Sequence, residues 1–113
     1  MTRNEVMSIV VTAIESARKV RLAYRRQSDE VTSLHEIAPV DVRPGWTDRT
    51  RNNQYLWAWC YAEGKAEMHL VDRIEGAFLL ESEFDPAAVL RDWRDTGWPL
   101  PDTWEVRREW TSA

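Results

Sequence analysis

The sequence predicts an α+β, mostly β domain: a small, strongly bent antiparallel sheet of about five strands with a helix at each end. Three observations carry this reading. Tyr55, Trp57, Trp59 and Tyr61 fall at every second position of Gln54–Tyr61, the side-chain period of a strand, so the four aromatics share one face and Leu56, Ala58 and Cys60 the other. Ala62-Glu63-Gly64-Lys65 then reverses the chain, with Gly64 free to take φ > 0, and Met68–Ile74 runs back alongside as the second strand of a hairpin. At the two ends the period is helical instead.

Thr2-Arg3-Asn4-Glu5 is a capping-box pattern, and Val6, Ile9, Val10, Ala13, Ile14 and Ala17 follow at helical spacing, so a helix is expected over about 3–18. Its apolar stripe must be covered, by the sheet or by a second copy of the chain, since each large apolar side chain gains roughly 1.5–3 kcal/mol on burial. Val20, Leu22 and Tyr24 then alternate with Arg21, Ala23 and Arg25 as a half-buried strand. Residues 27–33 are polar and form its hairpin loop, and Leu34–Val42 is the next strand. Pro39 removes a ladder donor there and demands an edge or a bulge. Arg43–Asn53 lacks periodicity and is a long loop carrying Trp46, Arg49 and Arg51, which either closes over a ligand or is pinned to the sheet by Trp46. After the central hairpin, residues 76–82 form a last strand. Asp85-Pro86 pairs an N-cap acceptor with proline at the first helical position, opening a short helix that Gly97 and Pro99 stop. Trp93 and Trp98 are expected to cover an open part of the sheet. Asp102–Glu105 is a candidate start of a further helix, and Trp104 and Trp110 call for docking on the body or on a partner.

A length of 113 residues suits one domain, assigned to residues 1–98, with 99–113 as a docked tail. The single Cys60 excludes an internal disulfide and sits in the most apolar strand, where a buried, inert thiol is the plainer reading. Neither a signal peptide nor a run near the ~20 apolar residues of a membrane span is visible, so a cytoplasmic protein without membrane contact is expected. The net charge of −4 argues against a general nucleic-acid coat. Its distribution is uneven, however: residues 18–73 carry ten basic and eight acidic side chains, and residues 74–113 carry four and nine. A basic face is one consequence, a scattered solvated surface the other.

Catalytic signatures are missing. The sequence holds no glycine-rich phosphate loop, no paired cysteines and no metal-ligand spacing, and its two histidines, His35 and His69, fall on different strands. No enzyme, cofactor or metal is therefore expected. Binding chemistry is better supplied. Flat aromatic faces stack bases at roughly 1–3 kcal/mol each, and the Arg73 guanidinium is a planar, permanently charged fork suited to phosphate. Against this, part of the aromatic row must be covered by a helix or by Trp93 and Trp98, and Arg73 has Asp72 and Glu75 close by as ion-pair partners.

Tyr55-Leu56 at the head of an apolar strand, followed by Val71-Asp72-Arg73-Ile74, resembles the WYL domain family. Ala17–Tyr24 and Ile37-Ala38-Pro39 match its first strands, and the likeness covers roughly residues 10–80. Gln54 stands where the family has its Trp, and Glu67–Leu70 offers no second arginine ahead of the Asp-Arg-Ile motif. The resemblance implies an SH3-like or Sm-like barrel. It also implies a non-enzymatic, ligand-sensing regulatory domain, often placed behind a DNA-binding helix-turn-helix in bacterial transcription factors and in some cases serving phage defence. Nucleic acid or a nucleotide is the implied ligand, with Tyr55, Arg73, His69, Arg25, Tyr24 and His35 as the site. The sequence shows no helix-turn-helix, so output is expected through a protein partner or a homodimer. The alternative is a protein-interaction or dimerisation module that uses the first helix or the Trp-rich tail and keeps only a vestigial pocket.

Overall fold

The structure, a computed structural model, describes residues 1–100, 103–108 and 110. Helix α1 spans Arg3–Ser16 and starts on a complete capping box: the Glu5 amide donates to Thr2 Oγ1 at 3.2 Å, and the Thr2 amide to Glu5 Oε1 at 2.9 Å. It ends two residues before the expected boundary because Ala17 adopts the left-handed conformation (φ 55°). There its N–H returns to the carbonyls of Ala13 and Ile14, and the chain turns directly into the first strand.

The strands are β1 (Arg18–Arg25), β2 (Thr32–Pro44), β3 (Gln54–Cys60), β4 (Lys65–Leu70) and β5 (Ile74–Glu83), hydrogen-bonded in the antiparallel order β4-β3-β2-β1-β5. The sheet is open, with β4 and β5 at its edges, so the backbone does not complete the barrel that the resemblance implied. Pro39 is accommodated at a register shift: Pro39 faces Ala58 and Asp41 faces Trp57, leaving Val40 as the extra residue of a bulge. The hairpin turn places Gly64 at φ 61°, as its sequence required. The second hairpin strand starts and ends earlier than expected. Leu70 pairs with Tyr55, next to the start of β3, so residues 71–73 have no partner on β3 and Val71–Arg73 closes into a single 3₁₀ turn, while Ile74 already belongs to β5 opposite Tyr24.

Each face of the sheet has its own core. On one side Val6, Val10, Ala13 and Ile14 of α1 pack on Val20, Leu22, Ile37, Leu56, Ala58, Cys60 and Ala77. The stripe that had either the sheet or a second chain as its cover is buried within the domain. On the other side helix α2 (Pro86–Arg94) sets Val89, Leu90 and Trp93 on Ala38, Val40, Trp57 and Ala66. Asp85 caps α2, its carboxylate accepting from the Ala87 amide. Trp93 stacks on Trp57 with centroids 6.1 Å apart, and Trp98 meets both rings edge-on. No helix among the described residues is long and apolar enough to cross a membrane. The candidate helix at Asp102–Glu105 lies partly outside the described residues, and residues 103–106 are not helical.

Candidate functional site

Alternation along three strands brings a polar group to the otherwise apolar α1 side. Ser33 and His35 of β2, Tyr24 of β1, and Glu67 and His69 of β4 share the face that carries Leu22, Ile37 and Leu56. The sheet curls enough for side chains of non-adjacent strands to meet. The Tyr24 ring stands edge-on to His69 with centroids 4.8 Å apart, and the His35 ring lies 5.6 Å from that of His69. The Leu70 amide, with no further ladder partner beyond β3, donates to the Tyr24 hydroxyl at 3.0 Å. Ser33 Oγ lies 2.7 Å from His35 Nε2.

This group is incompletely satisfied. His69 is 2% exposed, yet neither ring nitrogen has a hydrogen-bond partner among the described residues, and Glu67 Oε1 and Arg73 Nε are buried in the same condition. The nearest approach is His69 Nε2 to Glu67 Oε2 at 3.8 Å, too long for a hydrogen bond. Burial holds the His69 pKa down at about 4 against the opposing pull of Glu67, so the ring is neutral near pH 7. Burial raises the Tyr24 phenol and, with the neighbouring Glu67, the Cys60 thiol, which suits a protonated sulfur inside a core.

Beside this group two arginines converge on one carboxylate. Arg73, at the end of the 3₁₀ turn, donates from Nη2 to Glu30 Oε1 at 2.5 Å, and Arg25 Nη1 lies 4.0 Å from Glu30 Oε2. Glu30, in the β1–β2 loop, adopts φ 58°. A non-glycine residue rarely takes that conformation, and here its carboxylate meets both guanidinium groups. Arg25 also pairs with Glu75 at 2.8 Å, and Asp72 pairs with Arg3.

The structure thus brings Tyr24, His35 and His69 together and sets Arg25 and Arg73 next to them. Tyr55 stands apart. Its ring packs with the α2-side core. The aromatic row does share one face, and its middle is covered: Trp57 is buried under Trp93 and Trp98, Trp59 is half-buried, and Lys19 lies 4.4 Å above the exposed Tyr61 ring. No continuous stacking platform remains. Trp46 leans on Trp98 with centroids 5.9 Å apart, so in this structure its loop rests on the α2 side.

Glu67, Ser33 and Glu30 escaped the sequence reading. A signal existed for the first two: Ser33-Leu34-His35 and Glu67-Met68-His69 each place two polar residues on a strand face whose neighbours are apolar. A second buried cluster carried no local signal. Asp41, turned by the bulge toward the α2 side, accepts from the amides of Glu105 and Val106 and from the guanidinium groups of Arg108 and Arg43 at 2.9–3.2 Å. Arg108 is sandwiched between Trp104 and Trp110, 4.2 and 4.5 Å from the ring centroids, and also donates to the Val40 carbonyl.

The fold is an open antiparallel sheet with a helix on each face, and on the α1 side it holds a buried polar group with unpaired atoms. Residues 5–79 match the WYL domain family, and the chain belongs to that family. Domains of this family are regulatory and ligand-sensing. Among solved structures, proteasome accessory factor B/C (PafBC) of Arthrobacter aurescens superposes with a TM-score of 0.61 at 21% identity, over 76% of this chain and 13% of that one. At that identity the likeness is one of fold, and this chain corresponds to a small part of the larger protein. No curated protein matches the chain.

Proposed function

We propose that this domain senses a phosphate-bearing ligand, a nucleotide or single-stranded nucleic acid, at the end of the sheet where Arg25 and Arg73 converge, and that it does so without catalysis. The observation that carries the reading is the Glu30 carboxylate held against both guanidinium groups. An anion already rests where a phosphate would, and the exposed Glu30 side chain can swing away. Tyr24, His35 and His69 are the adjoining side chains, and Tyr55 contributes from the nearby end of β3. The bent sheet is here a variant of the SH3-like or Sm-like barrel, its open seam bridged by Tyr24. Residues 1–98 act as the sensing unit, and output passes through a partner that carries the effector domain, with regulation of transcription as the setting that family membership favours.

Titration of a labelled oligonucleotide and of a nucleoside triphosphate at two salt concentrations tests this. Arg73→Ala removes most binding, and Glu30→Gln tightens it by vacating the two guanidinium groups. If two phosphates are neutralised, a fourfold rise in salt weakens single-strand binding about sevenfold. Equal, weak binding by the wild type and Arg73→Ala rejects the assignment.

A protein-interaction role has one specific observation in its favour. Leu34 and Phe78 are 67% and 52% exposed on the part of the sheet that α2 leaves uncovered. The surfaces first considered for that role, the α1 stripe and Trp104 and Trp110 of the tail, pack inside the chain instead. Sizing Leu34→Lys/Phe78→Lys against the wild type over a hundredfold concentration range separates a partner face from a bystander: a homodimer through this face dissociates in the double variant.

A further inference from the structure

His35, Glu67 and His69 offer three ligand atoms that all lie within 4.8 Å of one another, although they come from two strands that are not neighbours in the sheet. We propose that they form a binding site for a divalent transition-metal ion, zinc foremost, which nothing in the domain's regulatory reading requires. Two imidazoles and one carboxylate are the ligand types zinc takes in three-residue sites, with water or an anion in the fourth position.

Three further features of the cluster support it. The His69 ring is buried with both nitrogens lacking hydrogen-bond partners among the described residues, and Glu67 Oε1 is buried in the same way. Such groups are costly when left unpaired, a cost that a bound cation removes from an imidazole lone pair and a carboxylate together. The donor chemistry suits a divalent cation: each imidazole offers a ring nitrogen and Glu67 a carboxylate oxygen. The surroundings also orient the ligands: Ser33 Oγ at 2.7 Å fixes the His35 ring, and Tyr24 packs edge-on against His69. Ligand atoms around a tetrahedral zinc lie about 3.3 Å apart. The 3.8 Å between His69 Nε2 and Glu67 Oε2, and separations of up to 4.8 Å within the set, therefore close by shifts of about 1.5 Å or less, within reach of side-chain rotation. His35 and Glu67 are partly exposed, which leaves the ion a way in.

The test uses the full chain without a histidine tag, stripped with a chelator and titrated with zinc chloride against a chromophoric competitor, then with cobalt(II) as a spectroscopic probe. The wild type binds one equivalent, its thermal midpoint rises with zinc, and cobalt(II) produces visible ligand-field absorption. His35→Asn and Glu67→Gln each weaken binding at least about tenfold, and His69→Asn abolishes it. Glu15→Gln, on the exposed side of α1, leaves binding unchanged. If His69→Asn fails to fold, the two partly exposed positions still decide the matter. No zinc binding by the wild type, or binding that survives in the His35→Asn/Glu67→Gln double variant, overturns the site.

Discussion

Two clusters of buried polar side chains lie on opposite faces of the same sheet, and they are solved in opposite ways. Around Asp41 every charged group has a partner: its carboxylate accepts two tail amides and two guanidinium groups, and Arg108 is held by two indole faces and a carbonyl, although the buried Trp104 indole N–H has no partner among the described residues. Around His69 the ionisable groups themselves carry unpaired atoms, on His69, Glu67 and Arg73. A buried network whose charges are all paired fixes a structure, in this case the tail on the sheet. One that is incomplete carries a standing cost that natural domains tolerate where a ligand completes the set. The Asp41 cluster therefore governs stability, and the His69 cluster is the place where a ligand would bind.

The largest expected effect breaks the Asp41 cluster. Asp41→Ala leaves the guanidinium of Arg108, 3% exposed, buried without its counter-charge. Burial already lowers its pKa to about 10 even with Asp41 opposing. Chemical denaturation is expected to show a loss of about 3–5 kcal/mol, accompanied by exposure of Trp104 and Trp110 to fluorescence quenchers. A loss below about 1 kcal/mol would mean the tail is not held by this carboxylate.

The middle effect concerns His69 and pH. Its folded pKa of about 4 lies below the ordinary 6.5, so between those values the unfolded chain binds the extra proton. Stability is therefore full above about pH 6.5 and declines as pH falls toward 4, by on the order of 3 kcal/mol. His69→Leu is expected to remove that decline while keeping stability at pH 7.5 within about 1 kcal/mol of wild type, because it deletes two unpaired nitrogens along with the ring. Denaturation midpoints at pH 4.5, 6 and 7.5 check both points. An unaltered slope in the variant would assign the acid loss elsewhere.

The smallest effect separates function from fold at the guanidinium pair. The Glu30 side chain is 61% exposed, so its ion pair with Arg73 is screened by solvent. Arg73→Ala is expected to change unfolding free energy by less than about 1 kcal/mol while removing ligand binding. A large stability loss would turn Arg73 into a structural residue and weaken the proposed ligand role.

Local chemistry made much of the fold legible. The capping box at Thr2, the alternation from Gln54 to Tyr61, the glycine reversal at Gly64 and the Asp85-Pro86 start each act over a few residues, and each is in place in the structure. Pro39 even announced its bulge, though not the consequence that Val40 and Asp41 would both serve the α2 side. The end of β4 was misjudged because it depends on where β3 begins. A strand stops when its neighbour does, and the residues of 71–73 carry no mark of that.

Backbone period and end chemistry are local, so the elements and the side chains that share a face of each strand can be read from the residues alone. That His35 meets His69, that Glu30 rests on two arginines and that Asp41 receives Arg108 comes from the packing of the whole chain. These contacts span 34 to 67 positions or join opposite ends of loops. They depend on how far the sheet curls and where one bulge turns a strand, which are properties of the packed whole.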